Sequence, residues 1–171
     1  MKFRTPAAWA EGVIHAMDLF LPDHAAAEKK ASSMAMTMVS HYPDRPGLVA
    51  AMVDLAIEEL NHFRAGVMLM QEGDLHLLPD EKDPDVHTVR QSIRTGKELF
   101  FMDRLRVAGI IEARGAERFG LVADALPDGP LKRFYRSIAL SEEGHEALFV
   151  DLAERYFDPG ETRGRLNELL V

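Results

Sequence analysis

The chain has 171 residues, of which 47% are hydrophobic and 28% are charged, and its formal net charge is −8. This length and composition predict one soluble domain over residues 1–171, without the broadly basic surface common among nucleic-acid-binding proteins. The chain contains no cysteine, which excludes disulfides, zinc–thiolate sites and thiol catalysis and favours a cytoplasmic location. No apolar run has the length needed to span a bilayer, so no membrane partner is expected.

Proline and glycine divide the first half of the chain into helical segments. Thr5-Pro6 predicts the start of a short helix over residues 6–20. Leu21-Pro22-Asp23 predicts the start of helix A, which runs to about Tyr42. A turn at Pro43 to Gly47 then leads into helix B, which runs to about Glu72.

The second half of the chain follows the same organisation. Residues 73–84, rich in Asp and Pro, predict a loop, and helix C is predicted over residues 85–126 with a kink at Gly96. Helix D follows over about 130–157, and a short helix ends the chain. Strands are not expected, because β-branched residues nowhere alternate with polar ones over a useful length. The pattern predicts an all-α, four-helix bundle with short flanking N- and C-terminal helices.

A repeated pattern of Glu and His lies on the four long helices. In each half of the chain, one Glu is followed about thirty residues later by Glu-x-x-His. The two sets are Glu28, Glu59 and His62, and then Glu112, Glu142 and His145. Positions i and i+3 share a helix face, so each set offers two carboxylates and one imidazole. This is the ligand set of a carboxylate-bridged di-iron or di-manganese centre in a four-helix bundle.

The surroundings of these residues favour metal ligation over an ordinary surface role. Each Glu lies on an apolar helix face, where a carboxylate is costly to bury unless it is paired or bound to a cation. Three neighbouring acidic residues are assigned to structure, namely Glu58, Glu117 and Glu143, although the i, i+4 spacing of Glu58 and His62 also places these two on one helix face. Glu117 is interpreted as a surface partner for Arg114 or Arg118. Glu and His suit both iron and manganese, so the metal is left open.

Several motifs together resemble the tRNA hydroxylase family called MiaE over about residues 5–157. They are Asp23-His24-Ala25-x-x-Glu28-Lys29-Lys30-Ala31, Glu58-Glu59-Leu60-x-His62-Phe63, Asp103-Arg104-Leu105, Ile111-Glu112-Ala113-Arg114-x-x-Glu117-Arg118-Phe119 and Ser141-Glu142-x-x-His145. The Ile-Glu-Ala-Arg-x-x-Glu-Arg-Phe block is the most specific, since a generic di-iron protein needs only its first Glu. The chain departs from the family at Gly115-Ala116, where a Ser-Cys pair is expected.

The resemblance implies a ferritin-like fold and a non-haem di-iron centre that uses O₂ and an external electron donor. It implies hydroxylation of the isopentenyl group of 2-methylthio-isopentenyladenosine next to the tRNA anticodon, with Glu28, Glu59, Glu112 and Glu142 as catalytic residues. The implied metal ligands are the six residues of the two sets above.

Five further residues are predicted around the pocket. His24 lies four residues before Glu28 on the same helix face, where it would either orient that ligand or pack at the start of helix A. Lys29, Lys30, Arg114 and Arg118 are predicted to hold phosphates of the anticodon loop, or else to form solvated helix faces. Three other readings stay open, and the low basicity favours the first of them. They are a hydroxylase of a free nucleoside or another prenylated small molecule, an iron-storage ferroxidase, and a metal-free helical interaction module.

Overall fold

A computed structural model describes residues 4–79 and 84–170 of the chain. These residues form seven α-helices and contain no strand. The helices are α1 (Ala7–His15), α2 (Met17–His41), α3 (Pro46–Glu72), α4 (Pro84–Gln91), α5 (Lys97–Ala125), α6 (Pro130–Tyr156) and α7 (Pro159–Leu169). The all-α prediction is confirmed for this part of the chain. No helix within it is long and apolar enough to cross a membrane.

The chain divides into two compact units, one formed by residues 12–81 and the other by residues 1–11 together with 82–171. The first unit is a hairpin of α2 and α3. Its interior is built from small and flexible apolar side chains that are at most 5% exposed, which are Leu21, Ala25, Ala26, Ala35, Met38, Leu48, Met52, Leu55, Ala56 and Met70. Ser32 Oγ donates a hydrogen bond of 2.9 Å to the Ala56 carbonyl and ties the two helices together.

The second unit is built on a hairpin of α5 and α6, to which α4 and α7 add. Pro130 begins α6, where its fixed φ suits the first helical turn. Phe101, Tyr135 and Phe149 are fully buried in this unit. At α7, the Asp158 carboxylate accepts hydrogen bonds from the Gly160 and Glu161 amides, which caps the helix.

The predicted start of helix A at Leu21-Pro22-Asp23 is wrong. Helix α1 ends at His15, Ala16 is non-helical at φ −122° and ψ 33°, and α2 begins at Met17. Pro22 therefore lies inside α2, where it lacks the amide that would bond four residues back. Pro22 and its neighbour Leu21 are buried, so apolar packing continues through the proline and compensates for the missing hydrogen bond.

The predicted helix C of residues 85–126 is two helices. Residues 92–96 separate α4 from α5, and Gly96 adopts φ 101°, a left-handed conformation that residues with a Cβ rarely adopt. The Arg94 amide in this break donates a 2.8 Å hydrogen bond to Asp103 Oδ2. The loop predicted over residues 73–84 is confirmed for 73–79, α4 begins at Pro84, and residues 80–83 lie outside the described part.

Candidate metal centre

The first predicted set of ligands lies on facing turns of α2 and α3. The ligand atoms of Glu28, Glu59 and His62 lie within 4.8 Å of one another. His62 Nδ1 is 3.3 Å from Glu59 Oε2 and 3.7 Å from Glu28 Oε2. Both carboxylates are buried, at 4% exposure for Glu28 and 1% for Glu59. The structure therefore brings together the first set as the sequence predicts.

The charges in this cluster favour a cation. Burial alone would lower the pKa of His62, but hydrogen bonds to the carboxylates of Glu28 and Glu59 raise that pKa to about 10. Burial would raise the pKa of Glu28, but the charge and hydrogen bond of His24 and the hydrogen bonds within the cluster lower it to about 2. The cluster thus stabilises positive charge beside the carboxylates of Glu28 and Glu59, which is the environment a divalent cation requires.

The second set lies on α5 and α6 and repeats this geometry. The ligand atoms of Glu112, Glu142 and His145 lie within 4.8 Å of one another. His145 Nδ1 is 3.8 Å from Glu112 Oε2 and 3.7 Å from Glu142 Oε1. All three side chains are buried. The two helical hairpins thus carry the same residue types at the same spacing, with all four carboxylates buried.

The distances within each triad match what a shared metal ion needs. Oxygen and nitrogen ligands lie about 2.0–2.2 Å from a first-row metal, so two ligands of one ion are roughly 3–4 Å apart. The ring-to-carboxylate distances, from 3.3 to 3.8 Å, fall in this range. Carboxylate and imidazole donors suit iron and manganese. The residues present in each triad therefore fit a metal ion.

Two residues adjoin the triads and bear on ligand orientation. His24 is buried, and its Nε2 donates a hydrogen bond to Glu28 Oε1. Since this bond joins its side chain to a predicted ligand, the structure favours an orienting role for His24 over simple packing at a helix start. In the other unit, Ser141 Oγ lies 3.5 Å from His145 Nε2, the ring nitrogen opposite the one that faces the carboxylates.

The predicted phosphate-binding residues lie on helices next to the ligands. Lys29 is partly exposed and Lys30 is exposed, both on α2. Arg114 is engaged with the N-terminal segment, because its Nη1 lies 3.4 Å from Thr5 Oγ1 and 3.9 Å from Glu117 Oε2. The guanidinium carbon of Arg118 lies 5.4 Å from the centre of the Trp9 ring.

The three acidic residues assigned to structure are exposed or paired with an arginine. Glu58 and Glu143 are exposed. Glu117 pairs with Arg114, as predicted, and also accepts hydrogen bonds from the Thr5 amide at 3.1 Å and the Thr5 hydroxyl at 2.8 Å. Thr5 and Glu117 are 112 residues apart in sequence, so helix periodicity gave no signal for their contact.

Sequence reasoning also missed a buried ionic cluster in the second unit. Asp103 is fully buried and accepts hydrogen bonds from Arg94 and Arg165 at 2.7–3.0 Å. Arg165 Nη2 also donates to the Ser92 carbonyl. The Asp103 carboxylate thus connects α7 with the non-helical segment that precedes α5. The signal in the sequence was an Asp near the apolar positions Phe100 and Val107 of helix C.

Comparisons with known proteins identify a family that this chain resembles over nearly its whole length. A family model described as "MiaE: tRNA-(MS[2]IO[6]A)-hydroxylase (MiaE)" matches residues 1–170. Two relatives carry the name "tRNA 2-(methylsulfanyl)-N(6)-isopentenyladenosine(37) hydroxylase". The one from Pseudomonas putida is 33% identical over 154 residues, covering 90% of this chain and 75% of the relative. The one from Salmonella typhimurium is 32% identical over 134 residues, covering 78% of this chain and 49% of the relative.

The fold is also shared with a solved structure. "Protein 43 with aldehyde deformylating oxygenase activity from Synechococcus" is similar with a TM-score of 0.91 and 34% identity, over 97% of this chain and 83% of that chain. This likeness confirms the ferritin-like fold predicted from the sequence. The chain spans three quarters of the length of the Pseudomonas relative and about half that of the Salmonella relative.

Proposed function

The chain belongs to the MiaE family of tRNA hydroxylases, and on that premise we propose that it hydroxylates the isopentenyl group of 2-methylthio-isopentenyladenosine in tRNA, using O₂. The observation that carries the proposal is the pair of matched, buried triads, each with two Glu and one His. Hydroxylation of a C–H bond of the isopentenyl group needs an oxidant that protein side chains do not provide. A metal centre can generate such an oxidant from O₂, and the triads supply the ligands of that centre.

The two triads together hold one dinuclear centre in a single ferritin-like domain over residues 1–171. Its ligands are Glu28, Glu59, His62, Glu112, Glu142 and His145. Six ligands shared by two metal ions leave coordination positions for O₂, which a closed structural site would not require. Two non-haem iron ions, with manganese as the other metal that suits these donors, would supply O₂ activation with electrons from an external donor.

The protein side chains bind, orient and shield this centre. The four carboxylates balance the charge of two divalent ions, and their burial excludes water from the oxidation. His24 fixes one carboxylate oxygen of Glu28 by its hydrogen bond, which directs the other oxygen toward His62. The Ser141 hydroxyl beside Nε2 of His145 orients the second imidazole in the same way.

The tRNA substrate requires a docking surface, for which the basic residues beside the ligands are suited. Lys29, Lys30, Arg114 and Arg118 position the anticodon loop through its phosphates, while the modified base is splayed out toward the metal centre. Since tRNA is modified inside the cell, the reaction is assigned to the cytoplasm.

The double change Lys29→Glu/Lys30→Glu should weaken tRNA binding at least tenfold at low salt. The change Lys97→Glu, on the exposed first turn of α5, should not weaken it. Equal affinities of the two variants in a filter-binding assay would overturn this docking surface.

The function is tested by mass spectrometry of tRNA nucleosides after incubation with iron-loaded protein, a reductant and O₂. The tRNA is taken from cells that lack any hydroxylase of this kind. The expected result is one added oxygen on the prenylated adenosine with wild-type protein and none with Glu112→Ala. Protein that holds two irons and consumes O₂ without forming this product would overturn the proposed substrate.

A second substrate class is favoured by one observation, the net charge of −8. A chain this acidic repels the phosphate backbone outside local basic patches. A free prenylated nucleoside would avoid that repulsion and use the same metal centre. Oxygen added to the free nucleoside but not to intact tRNA in the same assay would establish this alternative. Iron oxidation with no organic product would instead indicate an iron-handling ferroxidase.

A further inference from the structure

The N-terminal segment of the chain is fastened to α5 just beyond a ligand of the second triad. Glu117 follows Glu112 by five residues, and it accepts hydrogen bonds from the Thr5 amide at 3.1 Å and the Thr5 hydroxyl at 2.8 Å. The Thr5 hydroxyl also lies 3.4 Å from Nη1 of Arg114. These contacts fix the position of the first residues of α1, and with them the side chain of Trp9.

Trp9 lies at the edge of this arrangement. The buried residue of α1 is Ala10, which is 2% exposed, whereas Trp9 beside it is partly exposed. The guanidinium carbon of Arg118 lies over the indole ring, 5.4 Å from its centre, which is close enough for a cation–π interaction. Part of the indole therefore remains accessible to solvent, and tryptophan in this setting is typical of binding interfaces.

The proposed reaction leaves RNA bases in need of a new stacking partner. To reach the metal centre, the modified adenine must leave the stack of the anticodon loop, and its neighbours then lose a stacked base. Proteins that bind single-stranded RNA offset such losses by stacking the unpaired bases on aromatic side chains and on arginine guanidinium planes. A tryptophan backed by an arginine supplies both kinds of surface.

Trp9 lies near the residues that the reaction would use. Arg118 follows Glu112 by six residues of α5, which is about 9 Å along the helix axis at 1.5 Å per residue. Stacked nucleotides are about 3.4 Å apart, so this distance corresponds to about three of them. Arg114 and Arg118 are also the residues of α5 proposed to hold phosphates. The ring and both cations therefore accompany the second triad along one short stretch of α5.

We propose that Trp9, backed by Arg118, is a stacking platform for an unpaired RNA base close to the substrate nucleotide. This inference rests on the proposed function, because it takes the anticodon loop of tRNA as the substrate. Every base has a π-face, so stacking on the indole accepts any of them. The platform adds affinity for single-stranded RNA without selecting a sequence. It also distinguishes a loop from a duplex, in which the bases are already stacked.

A second aromatic–arginine pair on α5 provides a matched control. The guanidinium carbon of Arg104 lies 5.7 Å from the centre of the Phe100 ring, and Phe100 is 36% exposed. Phe100 precedes Glu112 by twelve residues, which places it about 18 Å along α5 in the direction opposite to Arg118. Trp9→Leu and Phe100→Leu thus remove the same type of contact. Only the first removes a ring beside the arginines proposed to bind phosphates.

Trp9 is the one tryptophan of the chain, so tryptophan fluorescence reports on this platform alone. The full chain is titrated with a synthetic anticodon stem–loop that carries the prenylated adenosine, and with a blunt RNA duplex that has the same number of phosphates. A base stacked on an indole quenches its fluorescence, so the stem–loop should quench Trp9 strongly and the duplex should not. Binding of the stem–loop without quenching, or equal quenching by both RNAs, would overturn the inference.

Substitutions separate stacking from a purely structural role of the ring. Trp9→Leu should bind the stem–loop about 5- to 150-fold more weakly than wild type, as is typical for the loss of one stacked base. Trp9→Phe keeps an aromatic ring and should restore most of the affinity, and Phe100→Leu should bind as wild type does. Stacking releases no counterions, so the salt dependence of binding should be unchanged in Trp9→Leu. In Arg114→Gln its slope should fall by about one.

Each failure has a distinct signature. Wild-type affinity of Trp9→Leu would overturn the platform. A salt slope that falls in Trp9→Leu as it does in Arg114→Gln would also overturn it, because the ring would then only hold the arginines in place. The fluorescence titration uses the wild-type chain, so it decides the question even where Trp9→Leu does not fold. Wild-type protein that bound neither RNA in a filter-binding assay would overturn the proposed tRNA substrate itself, and the platform with it.

Discussion

At the scale of single residues, burial separates the proposed metal ligands from neighbours of the same type. Glu142 is 6% exposed, whereas Glu143 beside it is exposed. Adjacent positions of a helix point about 100° apart, so only one of the two carboxylates faces His145. The sequence predicts this difference from periodicity alone, and the structure confirms the burial of Glu142 and the exposure of Glu143.

This difference gives a prediction for a matched pair of substitutions. Glu142→Gln should lower the metal content of the purified protein by half or more, because it removes a charged ligand from a triad that has only three. Glu143→Gln should leave the metal content at the wild-type value. Inductively coupled plasma mass spectrometry of both proteins checks the prediction, and equal metal loss in the two variants would contradict the assignment of ligands.

Periodicity predicted the ligands but not the contacts between helices. The i, i+3 spacing within Glu-x-x-His and the i, i+4 spacing of His24 and Glu28 are local, so each follows from helix geometry. The contact of Gly115 with Glu142 crosses between two helices. Its closeness depends on how the helices pack, which the spacing of residues along one helix does not determine.

At the scale of helices, the break before α5 and the position of α7 depend on one buried carboxylate. Asp103 holds Arg94 in the break and Arg165 in α7. The sequence predicted a continuous helix C because residues 92–95 contain no proline, and a lone Gly96 is compatible with a kinked helix. The actual break is also stabilised by Arg165, which donates a hydrogen bond to the Ser92 carbonyl from 73 positions away in sequence, and no local pattern reveals this contact.

Removal of this carboxylate should destabilise the protein. Asp103→Asn leaves the guanidinium groups of Arg165, 12% exposed, and Arg94, 38% exposed, beside a buried neutral amide, which should lower the free energy of unfolding by roughly 2 kcal/mol after solvent screening of Arg94. Glu168→Gln provides the control, since Glu168 pairs with the same Arg165 but its side chain is 66% exposed. The control should change stability by less than about 1 kcal/mol. Urea unfolding at pH 7 measures both, and equal effects would contradict the role of Asp103.

The same residue predicts a pH dependence. Burial alone would raise the pKa of Asp103, but hydrogen bonds from Arg94 and Arg165 lower it from the ordinary 3.8 to about 2. A lowered pKa means that the folded state binds this proton less readily than the unfolded state. The stabilisation is therefore complete above about pH 4 and is lost as the pH falls toward 2. The stability difference between wild type and Asp103→Asn should shrink over this interval, and a constant difference would contradict the assignment.

At the scale of the whole molecule, the chain contains two triads of the same composition, each with two Glu and one His. One triad lies on the α2–α3 hairpin and the other on the α5–α6 hairpin, with similar distances and burial in each. Each hairpin buries charged ligands, and two buried carboxylates without a cation repel each other. A metal ion in each triad removes this repulsion, so metal binding and stability should be coupled.

The fold class and the clustering of the proposed ligands in each hairpin were accessible from sequence because both depend on helical periodicity, which this chain repeats with little interruption. The interruptions themselves were harder to place. A proline inside α2 was interpreted as a helix start, since its tolerance depends on packing around Leu21 and Pro22. The segment from Thr5 to Trp9 contacts Glu117 and Arg118, and such contacts depend on tertiary structure.

The central claim is that the two triads hold one dinuclear centre, and the magnetic coupling of two bound ions tests it most directly. Wild-type protein titrated with Mn²⁺ should bind two ions per chain and give the exchange-coupled electron paramagnetic resonance spectrum of a pair about 3.5–4 Å apart. Glu112→Ala should lose the coupled spectrum. Two ions per chain with the spectrum of isolated Mn²⁺ would contradict the claim, because each triad would then be a separate mononuclear site.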